Sequence, residues 1–138
     1  MAVELTQDVS SRLSTDKYVW LTTVAKSGQP VPRLVWFLFD GKEITIYSMP
    51  NAAKLAHIKA HPLVSLNLDS DGNGRGTVVV AGEARIDEVD ADPLADEPYQ
   101  AKYRDYAASM GMTKEFLAAF STRLKISIGK VWSAPTGS

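Results

Sequence analysis

Residues Tyr47-Ser-Met-Pro-Asn-Ala-Ala-Lys54 set a hydroxyl and an ammonium on either side of a junction between strand formers and helix formers. A helix that begins there exposes unpaired backbone amides and a partial positive charge. Ser48 can donate from its hydroxyl and Lys54 adds a full charge about one turn in, a combination that suits a phosphate. Arg33, one hairpin partner away, offers a planar fork of donors to the same anion. The alternative is that Lys54 and Arg33 are two solvated surface charges.

Competing constellations are weaker. His57 and His61 have the i, i+4 spacing of two metal ligands on a helix, but Ile-Lys-Ala separates them and no glutamate stands between to act as a base. Pro62 disfavours helical geometry at His61 and Lys59 repels a cation, so no metal is expected. Asp69-Ser-Asp-Gly-Asn-Gly74 imitates the opening of a calcium loop, yet its twelfth position is Val80 instead of a bidentate glutamate, and a turn is the better reading. Gly72, Gly74 and Gly76 miss the dinucleotide fingerprint, because its last glycine falls on Thr77. No phosphate loop and no GxSxG element occurs, so a hydrolase nucleophile has no support. Tyr99, Tyr103, Tyr106 and Met110 recur at i, i+4, i+7 and i+11, a helical stripe read as packing.

The elements that must carry these residues follow from periodicity. A short amphipathic helix is expected over residues 3–13 and strands over 18–24, 31–39, 43–48, 63–68 and 77–86. A last strand alternates Leu124, Ile126, Ile128 and Trp132. Asp40-Gly41 supplies a tight hairpin between the second and third strands, and the glycine-rich run 69–76 supplies another. On the second strand Arg33, Val35, Phe37 and Phe39 share one face and Leu34, Trp36 and Leu38 the other, which predicts burial on both. Residues 52–60 form a helix ended by Pro62, with Leu55 and Ile58 on one side. The tyrosine stripe forms another, stopped at Gly111, and Thr113 caps a last one with Phe116, Leu117 and Phe120 inward. Six strands joined by hairpins, with about four short helices, indicate a mainly β chain with peripheral helices whose antiparallel sheet closes into a barrel. Strands that are apolar on both faces motivate closure, and a dimer can cover the outer face.

The chain has 138 residues, 45% hydrophobic and 22% charged, which fits one domain over 1–138. A net charge of −1 without a basic run argues against nucleic acid and for small-molecule partners. The absence of cysteine removes disulfides, thiolate nucleophiles and iron–sulfur clusters. With no export signal and no long apolar run in view, a soluble cytoplasmic protein without membrane partners is expected.

Four segments carry a resemblance: Gly28-Gln-Pro-Val-Pro-Arg-Leu-Val-Trp-Phe37, Ile46-Tyr-Ser-Met-Pro-Asn-Ala-Ala-Lys-Leu55, His61-Pro-Leu-Val-Ser-Leu-Asn67 and Val78-Val-Val-Ala-Gly-Glu-Ala84. In this order they are similar to the split-barrel flavin-binding superfamily typified by pyridoxamine 5′-phosphate oxidase, in its branch of deazaflavin (coenzyme F420)-dependent reductases. The resemblance implies a six-stranded antiparallel split β-barrel, a homodimer, and hydride transfer from F420 to a small organic acceptor. It implies that Arg33, Ser48 and Lys54 hold the cofactor phosphate, with Tyr47 and Asn51 beside them. It implies further that Val35, Trp36 and Phe37 lie along the ring, and that Lys130 and Trp132 approach the cofactor of the neighbouring subunit. FMN is the alternative cofactor, and a non-catalytic cofactor or tetrapyrrole binder the alternative function. The segment Lys125-Ile-Ser-Ile-Gly-Lys-Val-Trp132 lacks the arginine- and histidine-rich motif of oxidases acting on pyridoxamine phosphate. Catalysis through a borrowed ring requires no catalytic side chain.

Overall fold

A computed structural model describes residues 4–134, the side chain of Ala134 excepted. Helix α1, Gln7–Thr15, starts where Thr6 accepts a hydrogen bond from the Val9 amide at 3.2 Å. Its expected start at Val3 lies outside the described residues. Strands β1 (Val19–Val24), β2 (Pro30–Val35), β3 (Leu38–Phe39) and β4 (Glu43–Ser48) follow, then helix α2 (Ala53–Ala60) and strands β5 (Leu63–Leu68) and β6 (Thr77–Glu88). A 3₁₀ turn (Pro93–Ala95), helices α3 (Glu97–Ser109) and α4 (Lys114–Ala118) and strand β7 (Thr122–Ala134) complete the chain. Among the described residues no helix is long and apolar enough to cross a membrane.

The sheet order is β2-β1-β5-β6-β7-β4-β3, with every neighbouring pair antiparallel. The two edge strands, β2 and β3, are consecutive pieces of one segment, so the sheet's edges meet at Trp36–Phe37 and the sheet curls into a split barrel. Seven strands are present where six were expected, because the expected strand 31–39 breaks at this seam. Its cause lies on α3. The Phe37 amide donates to the Tyr103 hydroxyl at 2.8 Å, and the Phe37 carbonyl accepts from Lys102 Nζ at 2.8 Å. Side chains thus replace the strand partner at that residue.

The inward face holds one continuous core: Leu13, Val19, Leu21, Phe37, Ile44, Ile46, Leu66, Val80, Leu124 and Ile126 are buried together. Each such side chain contributes roughly 1.5–3 kcal/mol on burial. A second cluster forms outside the barrel, where Tyr99 and Tyr103 of α3 pack on Tyr47, Ala91, Trp36 and Leu38. The facing expected for residues 33–39 therefore holds from Trp36 onward. Burial on both faces does not extend to β2, whose residues are exposed or half-buried because it is an edge strand. Helix α4 also differs: none of its residues is buried, and Phe116 is 46% exposed rather than inward.

Two glycines are required by geometry. Gly41, at φ +96°, makes the β3–β4 turn beside Asp40, whose carboxylate accepts from the Lys42 and Glu43 amides. Gly82 lets β6 approach β7 at a register shift; a Cβ there would meet Ile126 Cγ2 and the Ser127 carbonyl, both at 2.7 Å.

Candidate functional site

Strand β4 ends at Ser48, the chain turns through Met49 to Asn51, and Ala52 opens α2. Alanine has no side chain to cap the helix, and its first turn carries no acid. The Ala53 and Lys54 amides therefore have no capping side chain, while the Leu55 amide donates to the Ala52 carbonyl at 3.1 Å. Lys54, the second residue of α2, is half-buried and, among the described residues, makes neither ion pair nor hydrogen bond. Burial, and then the charge of Arg33, hold Lys54 below the ordinary lysine range. Arg33 itself is exposed on β2, near enough for its charge to act on Lys54, and no acid is among the charges that act on that lysine.

A cavity of about 260 Å³ opens beside Lys54. Val35, Trp36 and Tyr47 of the barrel line it together with Tyr99 and Tyr103 of α3, which pack against them, and with Met112, Phe116 and Phe120 further on. Trp36 stacks flat on Tyr103, with centroids 4.5 Å apart and planes 1° from parallel. Tyr47 donates from its hydroxyl to Asp96 at 2.6 Å, and burial followed by that bond pushes it up to about 12. Burial likewise holds Tyr99 and Tyr103 above the usual phenol range. These phenols stay neutral, so Lys54 is the one charged side chain among the residues that line the cavity.

The same fold is found elsewhere. Residues 5–130 match pyridoxamine 5′-phosphate oxidase as a protein family. The chain belongs to that family. No curated protein matches it in sequence. Among solved structures it is similar to an F420 reductase, at 21% identity with a TM-score of 0.66, covering 89% of this chain and 94% of that one. A pyridoxamine 5′-phosphate oxidase-like protein from Listeria innocua shows 19% identity and a TM-score of 0.70, over 94% and 97% of the two chains. The heme storage protein of Vibrio cholerae shows 14% identity and a TM-score of 0.67, over 98% of each. Identities this low speak for the fold alone. The fold is thus shared by proteins named for F420 reduction and for heme storage.

Within this family fold, the residues singled out from sequence separate into two groups. Val35, Trp36, Tyr47 and Lys54 line the one cavity, and Arg33 lies close enough to act on Lys54. The others stand apart from it. Phe37 is fully buried in the barrel core. Ser48 is fully buried too, and its hydroxyl donates to the Met49 carbonyl at 3.0 Å. Asn51 sits exposed in the turn before α2. Lys130 and Trp132 pair on β7, the ammonium 4.8 Å from the indole centroid.

Register defines where that pair lies. Leu34, Trp20, Asn67, Val79 and Trp132 form one cross-strand row over β2, β1, β5, β6 and β7. Trp132 is thus four strands from Leu34, about 19 Å along the sheet at roughly 4.8 Å per strand. Leu34 and Trp132 at its ends are each 47% exposed, and Trp20, Asn67 and Val79 between them are half-buried.

Of the two histidines, His57 shares a hydrogen bond with buried Thr23 at 2.8 Å, and His61 ends α2 in extended geometry, φ −138°, as Pro62 requires. The run 69–76 is a turn, with the Asp71 carboxylate accepting from the Asn73 and Arg75 amides. Of the stripe, Tyr99 and Tyr103 are buried and Tyr106 half-buried, as the packing reading expected, but Met110 at its end is 58% exposed. Sequence reasoning missed that Tyr99 and Tyr103 also wall the cavity, although their spacing was visible. It missed Lys102 altogether, which nothing in the sequence distinguishes from other helix-surface lysines.

Proposed function

We propose that this protein is an oxidoreductase that holds coenzyme F420, a deazaflavin, by its phosphate and transfers hydride to a small organic acceptor. One observation carries the reading: Lys54, half-buried and without an acid beside it, lines an aromatic cavity, with the charge of Arg33 acting on it from the neighbouring strand. The pair suits a phosphate, and the cavity suits a planar ring. Bound there, the deazaflavin supplies hydride from its ring, the chemistry that no side chain of this protein provides. Lys54 and Arg33 would neutralise the phosphate beside the first amides of α2; Ser48, buried and bonded to the Met49 carbonyl, would not reach it. Val35, Trp36 and Tyr47 wall the ring and keep water from it.

The site is completed, in this reading, by a second copy of the chain. At about 260 Å³ the cavity falls below the roughly 300–1,000 Å³ usual for a whole ligand. The row from Leu34 to Trp132, exposed at both ends, is the surface proposed for a homodimer, and Lys130 and Trp132 would then reach the cofactor held by the partner. The choice of F420 draws on the fold shared with an F420 reductase; FMN is the alternative. Fluorescence titration of the purified protein with F420 and with FMN decides between them. Tighter binding of F420 supports the proposal, and tighter binding of FMN replaces it with an FMN-dependent oxidoreductase. The fold shared with a heme storage protein favours a second reading, a binder without catalysis. It requires that reduced F420 bound to the protein stay unoxidised with every quinone and enone acceptor offered.

A further inference from the structure

We propose that Tyr103 is a positioning residue for the cofactor ring, acting through the backbone of Phe37 at the barrel seam. The inference rests on the cofactor reading above. Trp36–Phe37 is where the two sheet edges meet, and neither residue belongs to a strand. An interruption of this kind would leave the segment's backbone groups unpaired and its path loose. Tyr103 prevents both. Its hydroxyl accepts from the Phe37 amide at 2.8 Å and has two carbonyls in reach for its single proton, Phe37 at 2.7 Å and Lys17 at 2.8 Å. Lys102, its neighbour on α3, donates to the same Phe37 carbonyl at 2.8 Å and sits 3.8 Å from the centroid of the Phe37 ring.

The same tyrosine ring stacks flat on Trp36 and faces the cavity. One side chain, 1% exposed, therefore fixes the seam backbone by its hydroxyl and the seam indole by its face. Val35 and Trp36, the barrel-side wall, lie immediately before the fixed point. The hydroxyl decides where that wall stands relative to α3, and hence the shape of the surface that a planar ring meets in the cavity. Lys54 is not part of this link, so ring placement and phosphate binding are separable properties of the site.

The test is a comparison of the full-length protein with Tyr103→Phe, Lys102→Met and Lys54→Ala, titrated with F420 and with FMN and observed by visible circular dichroism of the bound chromophore at saturation. Tyr103→Phe keeps the stacking ring and removes only the hydroxyl. It should weaken cofactor binding about tenfold and, at saturation, lose most of the induced dichroism. Lys102→Met should act in the same direction more weakly. Lys54→Ala should weaken binding while the dichroism of the saturated complex survives. A Tyr103→Phe protein with a lowered melting temperature but wild-type affinity and dichroism overturns the inference, because that is the behaviour of a merely structural hydroxyl. If Tyr103→Phe fails to fold, wild-type dichroism in Lys102→Met overturns it. Failure of the wild-type protein to bind either cofactor overturns the cofactor reading itself, and this inference with it.

Discussion

Lys54 keeps its charge half-buried with no carboxylate beside it, an arrangement that is unfavourable until an anion arrives. Replacing it with alanine removes a charge-assisted contact worth about 1.5–3 kcal/mol, on the order of ten- to a hundredfold in affinity for a phosphate-bearing cofactor. Equilibrium titration reads this directly, and an unchanged constant would count against the anion site. The direction of its pKa adds a pH dependence. Because burial and Arg33 lower the lysine's affinity for its proton, the cation is lost at a lower pH than in an ordinary lysine. Phosphate-dependent binding should therefore weaken as pH rises into the alkaline range before an exposed lysine would titrate, and Lys54→Arg should abolish that weakening. Both charged residues were legible in the sequence, because residue type and the strand-to-helix junction are local signals. The orientation of the Ser48 hydroxyl was not, since it depends on the turn that Met49 makes.

Strand β6 lies against β7 without room for a side chain at Gly82. Gly82→Ala should destabilise the fold by about 1–3 kcal/mol, because the contact at 2.7 Å includes the Ser127 carbonyl, which cannot rotate away. Chemical denaturation with an unchanged m-value checks it. At this scale most elements could be read: β4 and β5 lie where alternation placed them, and the Asp40-Gly41 turn has the positive φ its residues predict. The split of the expected second strand could not be read. Residues 31–39 have unbroken strand composition, and the groups that interrupt them, Lys102 and Tyr103, are some 65 residues away along the chain. Nor could the exposure of α4, whose apolar residues serve a cavity wall instead of the core.

The whole molecule combines opposing titrations. Burial, and then Lys17, bring Lys102 down to about 8, so between pH 8 and 10.5 the unfolded chain binds the proton that the folded chain has released. Stability contributed by this group is complete above pH 10.5 and is lost as pH falls through 8. Tyr47 works the other way: raised to about 12, it stabilises the fold below pH 10 and loses that contribution as pH rises through 12. Tyr99 and Tyr103 add to the alkaline loss. Melting temperature should hold or rise from pH 8 to 10 and fall steeply above 10, with Lys102→Met removing the rise. Assembly is tested at the row from Leu34 to Trp132: Val79→Glu should convert a dimer to a monomer by light scattering while the melting transition persists. An unchanged mass would remove the proposed interface. The phosphate itself offers the most direct test of the account. Affinity of the wild-type protein is compared for F420 and its phosphate-free deazariboflavin core, and for FMN and riboflavin. The account predicts that the phosphate-bearing member of the preferred pair binds at least tenfold tighter and that Lys54→Ala erases most of the difference. Equal affinities within both pairs would contradict it.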